Sequence, residues 1–313
     1  MAKYLVTGGA GFIGSHIVTR LREEGHSVRI LDNFSSGKKE NLAGITGSGL
    51  EVFEEDICNR KACDAACAGM DYVIHEAALR SVPRSLDDPY AYNRVNIDGT
   101  LNLLYAARAA GVKQVVFASS SSIYGETAIF PQQEENLPAL ISPYALSKLA
   151  GEHYGYIFTK NFGLPVASLR YFNVFGERQS LEDEYAVVIP KFINCMLKGE
   201  RPPVHGDGKQ SRDFTYVANV VDATILAVRT TGAAGLFFNV GCGKENSILE
   251  LVAALNRILG TKLEPFFRPP RAGDVPRTLA DISRAQKILG YQPRVDFESG
   301  LRRAVDYFKK VWA

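Results

Sequence analysis

Tyr4-Leu5-Val6-Thr7-Gly8-Gly9-Ala10-Gly11-Phe12-Ile13-Gly14 is the stretch on which the reading of the chain turns. Four strand-forming residues run into Gly8, Gly11 and Gly14 at three-residue spacing, and an amphipathic pattern over 12–24 predicts a helix directly behind them. Glycine allows the tight turn and lets backbone N–H groups close on a pyrophosphate at the positive end of that helix, with Gly14 permitting close helix–strand packing. Asp32, which ends the next apolar run, lies 18 residues beyond Gly14. A carboxylate there accepts hydrogen bonds from a ribose 2′-hydroxyl and repels a 2′-phosphate, so the pattern predicts NAD rather than NADP. Asp56, at the end of the third run, falls at the same edge and could reach an adenine or cap a turn.

Outward from this loop, short β-branched runs alternate with helical patterns through residue 175. Strands are predicted over 4–7, 28–31, 52–54, 72–75, 115–119 and 166–170, each a near-continuous apolar run suited to burial on both faces. Helices are predicted over 12–24, 89–110 and 143–161. The fold class is therefore α/β, a doubly wound parallel sheet. Beyond 173 the pieces shorten: helices near 188–197, 247–259, 283–289 and 298–309, and strands near 214–217 and 237–240. We expect a dinucleotide-binding domain over 1–175 carrying the catalytic residues, and a smaller C-terminal α/β substrate lobe over 176–313, with some late segments free to return to the main sheet.

Composition narrows the partners. With 36 Lys and Arg against 34 Asp and Glu, mixed along 313 residues, there is no basic footprint for nucleic acid or an anionic membrane. No apolar run approaches the ~18–20 residues of a membrane helix, and no signal-peptide pattern precedes Tyr4, so a cytoplasmic location is expected. The five cysteines are an odd count and read as reduced thiols; Cys58, Cys63 and Cys67 lack the spacing of a zinc knuckle, and no metal is expected. His16, His26 and His153 have no Ser–Asp partner pattern of a hydrolase.

Tyr144 and Lys148 stand four residues apart at the start of the long helix, on one face. A phenol is a poor base near neutrality unless an adjacent cation favours its anion, and a lysine one turn away, with an oxidised nicotinamide, is expected to supply that field. Ser119-Ser120-Ser121-Ser122 end the fifth strand, where hydroxyls project toward the expected cleft.

Taken together, Thr7–Gly14, Asp32-Asn33, Asp56-Ile57, His75–Ala78, Asn96, the serine run, Tyr144–Lys148, Arg170–Asn173, Arg212–Phe214, Asn239–Gly243 and Arg271–Asp281 resemble the extended short-chain dehydrogenase/reductases. Within them the chain is similar to the UDP-hexose 4-epimerases, over essentially its whole length. The resemblance implies a Rossmann-type sheet, tightly held NAD, a UDP-sugar substrate and a homodimer formed through 89–110 and 143–161. It implies Ser120, Tyr144 and Lys148 as catalytic residues. It implies cofactor contacts from Gly8, Gly11, Phe12, Ile13, Gly14, Asp32, Asn33, Asp56, Ile57, Ala77, Ala78, Asn96, Ser119, Tyr171 and Val174, as well as from Tyr144 and Lys148. Arg212 and Arg271 become the pyrophosphate clamps, and Ser122, Asn173, Val188, Val204, His205, Asp274 and Thr278 complete the substrate pocket. Related dehydratases carry Asp-Glu where this chain has Ser121 and Ser122, and related UDP-glucuronate decarboxylases carry Glu at the place of Ser122.

Overall fold

The computed structural model describes residues 1–45, 48–181, 188–270 and 275–312. Seven parallel strands form its centre: β1 Lys3–Thr7, β2 Ser27–Leu31, β3 Leu50–Phe53, β4 Tyr72–His75, β5 Gln114–Ser120, β6 Val166–Tyr171 and β7 Phe237–Val240, in the order β7-β6-β5-β4-β1-β2-β3. The chain steps outward from β1 to β3, then crosses to β4 and builds the other half. That reversal leaves a crevice beyond the carboxyl ends of β1 and β4, the place where open α/β sheets bind ligands.

Neighbouring strand residues face opposite sides, and both sides are apolar. Leu5, Val73, Val115 and Val166 pack under α2 (Arg60–Cys67), α3 (Gly99–Ala109) and α4 (Pro143–Phe162), against Cys63, Cys67, Leu103, Leu104 and Phe158. Val6, Ile74, Val116 and Ala167 face the other layer, which includes Ile17, Val18 and Leu21 of α1 (Phe12–Glu23). Such double burial explains why these strands read as unbroken hydrophobic runs.

Several elements differ from the sequence expectation. The strand expected over 52–54 is Leu50–Phe53, and Val52 is exposed because this is the edge strand. The strand near 237–240, which the sequence groups with the later segments, is the seventh strand of the main sheet and pairs with β6, Asn239 opposite Arg170. The strand expected over 214–217 shrinks to Thr215–Tyr216, and a helix at Val217–Arg229 has no counterpart in the sequence expectation. With nine buried residues and many β-branched side chains, that helix has too narrow a polar stripe to reveal its period. The helix expected over 89–110 widens into a π-helical segment at Asn93–Asp98 before α3 begins. One extra backbone residue per turn is invisible to hydrophobic spacing. The expected helix near 283–289 is likewise π-helical over Ala285–Leu289. Among the described residues no helix is long and apolar enough to cross a membrane.

A buried ion pair ties α4 to the sheet. Arg170 donates from Nε and Nη2 to the two carboxylate oxygens of Glu152 at 2.8 and 2.7 Å, and Ser119 Oγ donates to Glu152 Oε1 at 2.6 Å. Arg170 Nη1 also donates to the Tyr124 hydroxyl, which donates to Asn239 Oδ1. Removing one partner strands a buried charge. Glu152→Ala is therefore expected to cost about 3–5 kcal/mol of stability, read as a lower urea midpoint. A loss below about 1 kcal/mol would show that the pair does not hold the layers together.

Candidate active site

The glycine loop is built by contact. A Cβ on Gly14 would stand 2.2 Å from the Gly8 carbonyl oxygen, and one on Gly8, whose φ is +66°, would stand 2.7 Å from the Ala77 nitrogen. The loop therefore nests between α1 and the end of β4 only with hydrogen at both positions. No side chain caps the start of α1, whose N-cap is Gly11, so its first N–H groups face the crevice.

A cavity opens there, lined by Gly8, Gly11, Phe12, Ile13, Gly14, Asp32, Asn33, Asp56, Ile57, Ala77 and Ala78, with Glu76, Arg80 and the Ser35–Gly37 turn. Asp32 is 7% exposed; its Oδ2 accepts from the Ala10 N–H at 2.9 Å and its Oδ1 from the Phe34 N–H at 2.8 Å. Burial raises the Asp32 carboxyl above its ordinary pKa, and those two N–H groups pull it back. For Asp56 burial also pushes upward, but the Cys58 N–H and the Asn33 amide, at 2.7 and 2.8 Å, outweigh it and leave the pKa low. An uncapped helix start, a glycine cradle and a fixed carboxylate at the far end suit a dinucleotide without a 2′-phosphate.

Around the π-helical segment the polar groups interlock. Asn96 is buried, accepts from the Leu79 N–H and donates to the Leu79 carbonyl and to Ser147 Oγ, so it braces the wall after β4 against α4. Thr100 donates to the Asn96 carbonyl, which leaves its oxygen to accept from His75 Nε2, while His75 Nδ1 accepts from Thr7. Burial, aided by Lys148, pushes His75 down to about 3, so it is a neutral structural link.

Tyr144 is half-buried, whereas Lys148, one turn on, is 4% exposed and donates to the Ala118 carbonyl at 2.8 Å. Burial pushes Lys148 down to about 8, with Glu76 and Glu152 opposing. The lowering of Tyr144 expected from Lys148 is not what the protein alone produces. Burial raises the Tyr144 phenol, and the moderating influences are its side-chain partner Ser120 and the charge of Arg80. Ser120 Oγ accepts from the Ser122 N–H, and Ser122 Oγ is buried with no protein partner. An orphaned hydroxyl beside Ser120 is suited to a ligand hydroxyl.

The remaining expected residues are spread around the rim and the core. Tyr171 pairs in register with Ser120 and donates to Glu76 at 2.8 Å; Val174 lies in a two-residue strand just beyond. Asn173, at φ +34°, donates to Thr278 Oγ1 at 2.8 Å. Arg212 is buried and donates to the Ser211 carbonyl, His205 bonds the Pro269 carbonyl, and Val188 is half-buried at the start of Val188–Leu197. Val204 is fully buried in the core, and the Ser119 hydroxyl points to Glu152. Arg271 and Asp274 lie outside the described residues. Glu76 and Arg80 are not among the residues expected from sequence, although a charged residue between a buried strand and the small pair Ala77-Ala78 was the available signal.

The Asp32 geometry makes a sharp expectation. Asp32→Ala removes a buried carboxylate acceptor, its charge and the partner of the Ala10 N–H, and should reduce the preference for NAD over NADP by about tenfold or more. Titration of both dinucleotides against apo-protein is the check; an unchanged ratio would remove Asp32 from the ribose site.

Comparison with known proteins finds relatives over nearly the whole chain. A UDP-glucose 4-epimerase of Mycolicibacterium smegmatis is 40% identical over 97% of this chain and 98% of its own. The solved UDP-N-acetylglucosamine 4-epimerase of Methanobrevibacter ruminantium, in complex with UDP-N-acetylmuramic acid, is 40% identical and superimposes with a TM-score of 0.95, covering 99% of each chain. The Thermus thermophilus UDP-glucose 4-epimerase, solved with NAD, is 38% identical with a TM-score of 0.88, over 98% of this chain and 99% of that one. The family model matches residues 4–241, from β1 through the strand that completes the sheet, and the chain belongs to the NAD dependent epimerase/dehydratase family.

Proposed function

We propose that this protein inverts the C4 stereocentre of UDP-hexoses through a 4-keto intermediate, with NAD retained throughout. The observation that carries the reading is the set Ser120, Tyr144 and Lys148 at the cleft, with hydroxyls at Ser121 and Ser122 where water elimination would need carboxylates. Tyr144 takes the proton of the sugar 4-hydroxyl, with Ser120 bridging, and Lys148 supplies positive charge behind the phenol. The glycine loop and Asp32 would hold NAD, which would supply a reversible hydride acceptor. With the nucleotide gripped, the ketose would be free to turn about its phosphate linkage and present its opposite face; the overall conversion is redox-neutral.

The alternatives are a UDP-glucuronate 4-epimerase or decarboxylase, of which the decarboxylase fits less well because Ser122 lacks a carboxylate, and a non-catalytic NAD-binding regulator. For assembly we propose a homodimer through α4 and the helical stretch before it. Leu146 and Ile157 are 52% and 39% exposed and eleven residues apart, close to three helical turns, so they share one face of α4; Tyr90 and Leu86 are exposed nearby in sequence to α3.

Substrate breadth rests on Thr278. Many glucose/galactose-restricted epimerases carry Tyr at that position, and a smaller residue leaves room beside the sugar C2 substituent. Thr278 is 7% exposed and its hydroxyl is engaged by Asn173.

A product assay with UDP-glucose, UDP-N-acetylglucosamine and UDP-glucuronate in parallel tests the reading. Turnover of the first two is expected, and Tyr144→Phe should bind substrate and NAD yet lose at least about 100-fold in kcat; near wild-type kcat would remove Tyr144 as the base. Thr278→Tyr should cut activity on the N-acetylated pair by about tenfold or more while sparing UDP-galactose. Equal loss on both pairs, or wild-type inertness toward UDP-N-acetylglucosamine, would dismiss Thr278 as the gate.

A further inference from the structure

Glu76 follows β4 directly, lines the dinucleotide cavity and heads a hydrogen-bond chain that runs through the sheet. Its Oε1 lies 2.8 Å from the Tyr171 hydroxyl, which lies 2.9 Å from Thr224 Oγ1, which in turn lies 2.9 Å from the Val220 carbonyl on Val217–Arg229. The chain has two complete settings. With Glu76 ionised, Tyr171 donates to the carboxylate and Thr224 donates to Tyr171. With Glu76 protonated, every donor reverses: Glu76 to Tyr171, Tyr171 to Thr224, Thr224 to Val220. Neither setting leaves a hydroxyl proton without an acceptor, so the geometry supports both charge states of Glu76.

The charges facing Glu76 give this a consequence. Lys148 reaches over from α4 to the Ala118 carbonyl on β5, the position beside Glu76 since Phe117 pairs in register with His75, and Tyr171 comes from β6; the charge of Glu76 also acts on Tyr144. His75 beside it is neutral, and Arg80, in the same cavity wall, acts on Tyr144. Glu152 also acts on Lys148, but its carboxylate is already paired at both oxygens with Arg170. Glu76 is thus the carboxylate acting on Lys148 that has no arginine across from it among the described contacts.

We propose that Glu76 is a positioning residue for the Tyr144–Lys148 pair, the anion that keeps Lys148 an ammonium in its buried seat and whose charge Tyr171 holds in place. The proposal rests on the reading of Tyr144 as the base. Its carboxyl is raised by burial to about 7, against the pull of Tyr171 and Lys148, which puts the change of setting within the working range.

The sign of the effect is fixed. Removing the anion takes an opposite charge from Lys148 and a like charge from Tyr144, so both pKa values fall. Glu76→Gln keeps the shape and mimics the protonated setting, since the amide can donate to Tyr171. Two measurements on the protein with its bound dinucleotide test the idea. In the pH dependence of kcat/KM, both limbs should move toward acid by about one pH unit in Glu76→Gln. A profile that stays in place while only its height changes would overturn the proposal, because a purely structural role scales activity without displacing it. In pH-difference infrared spectra, a carboxylic-acid carbonyl band should disappear as the pH rises through neutrality in the wild type and be missing from Glu76→Gln. Tyr171→Phe, which removes the donor to the carboxylate, should move that band's titration to higher pH and provides the second variant. Identical band titration in all three proteins would also overturn the proposal. Absence of turnover on every UDP-hexose would instead count against the epimerase reading, and the infrared arm still decides Glu76.

Discussion

Glu152 and Arg170 meet inside the protein through two parallel hydrogen bonds, with side chains 0% and 3% exposed, and the reacting centre is assembled on that contact. Glu152 sits one turn after Lys148 on α4, Arg170 sits beside Tyr171 on β6, and Ser119, beside Ser120 on β5, completes the clamp. Two strands and a helix are thereby fixed in register. A displacement of α4 by a fraction of a turn would separate Tyr144 from Ser120, so the pair is worth more as a geometric constraint than as a net contribution to stability. Gly151 shows how closely α4 lies on the sheet, since a Cβ there would come within 2.3 Å of the Phe117 ring.

The same sheet serves the dinucleotide end by a different device. At β1 the close approach is backbone on backbone, Gly14 over Gly8, and the groups presented there are backbone N–H donors and an Asp32 carboxylate fixed by two N–H groups. Backbone N–H groups do not titrate, so they offer the same donors at any working pH. The proton-handling groups, by contrast, are clustered where burial has moved them: Lys148 downward, Tyr144 and Glu76 upward.

The glycine spacing, Asp32, and the Tyr144–Lys148 pair were legible in the sequence because each depends on local rules, a turn that needs glycine or a helix that places residues i and i+4 together. Five of the seven sheet strands followed from burial, which writes itself as apolar runs, whereas the edge strand Leu50–Phe53 has no such burial. The helix at Val217–Arg229 escaped for the reverse of that reason, being buried nearly all round.

What the chain alone determined is therefore the doubly wound class, the glycine turn ahead of the first helix and the placing of Tyr144 and Lys148 one turn apart on one helix. Tertiary structure decided the rest. It set Glu76 beside Lys148 across 72 positions of sequence, turned the Ser119 hydroxyl inward to Glu152, and reversed the direction in which Tyr144 is shifted in the protein alone. None of these is visible in spacing, because desolvation and the choice of hydrogen-bond partner depend on what the fold packs against each group, and neighbours brought together from distant strands leave no period in the sequence.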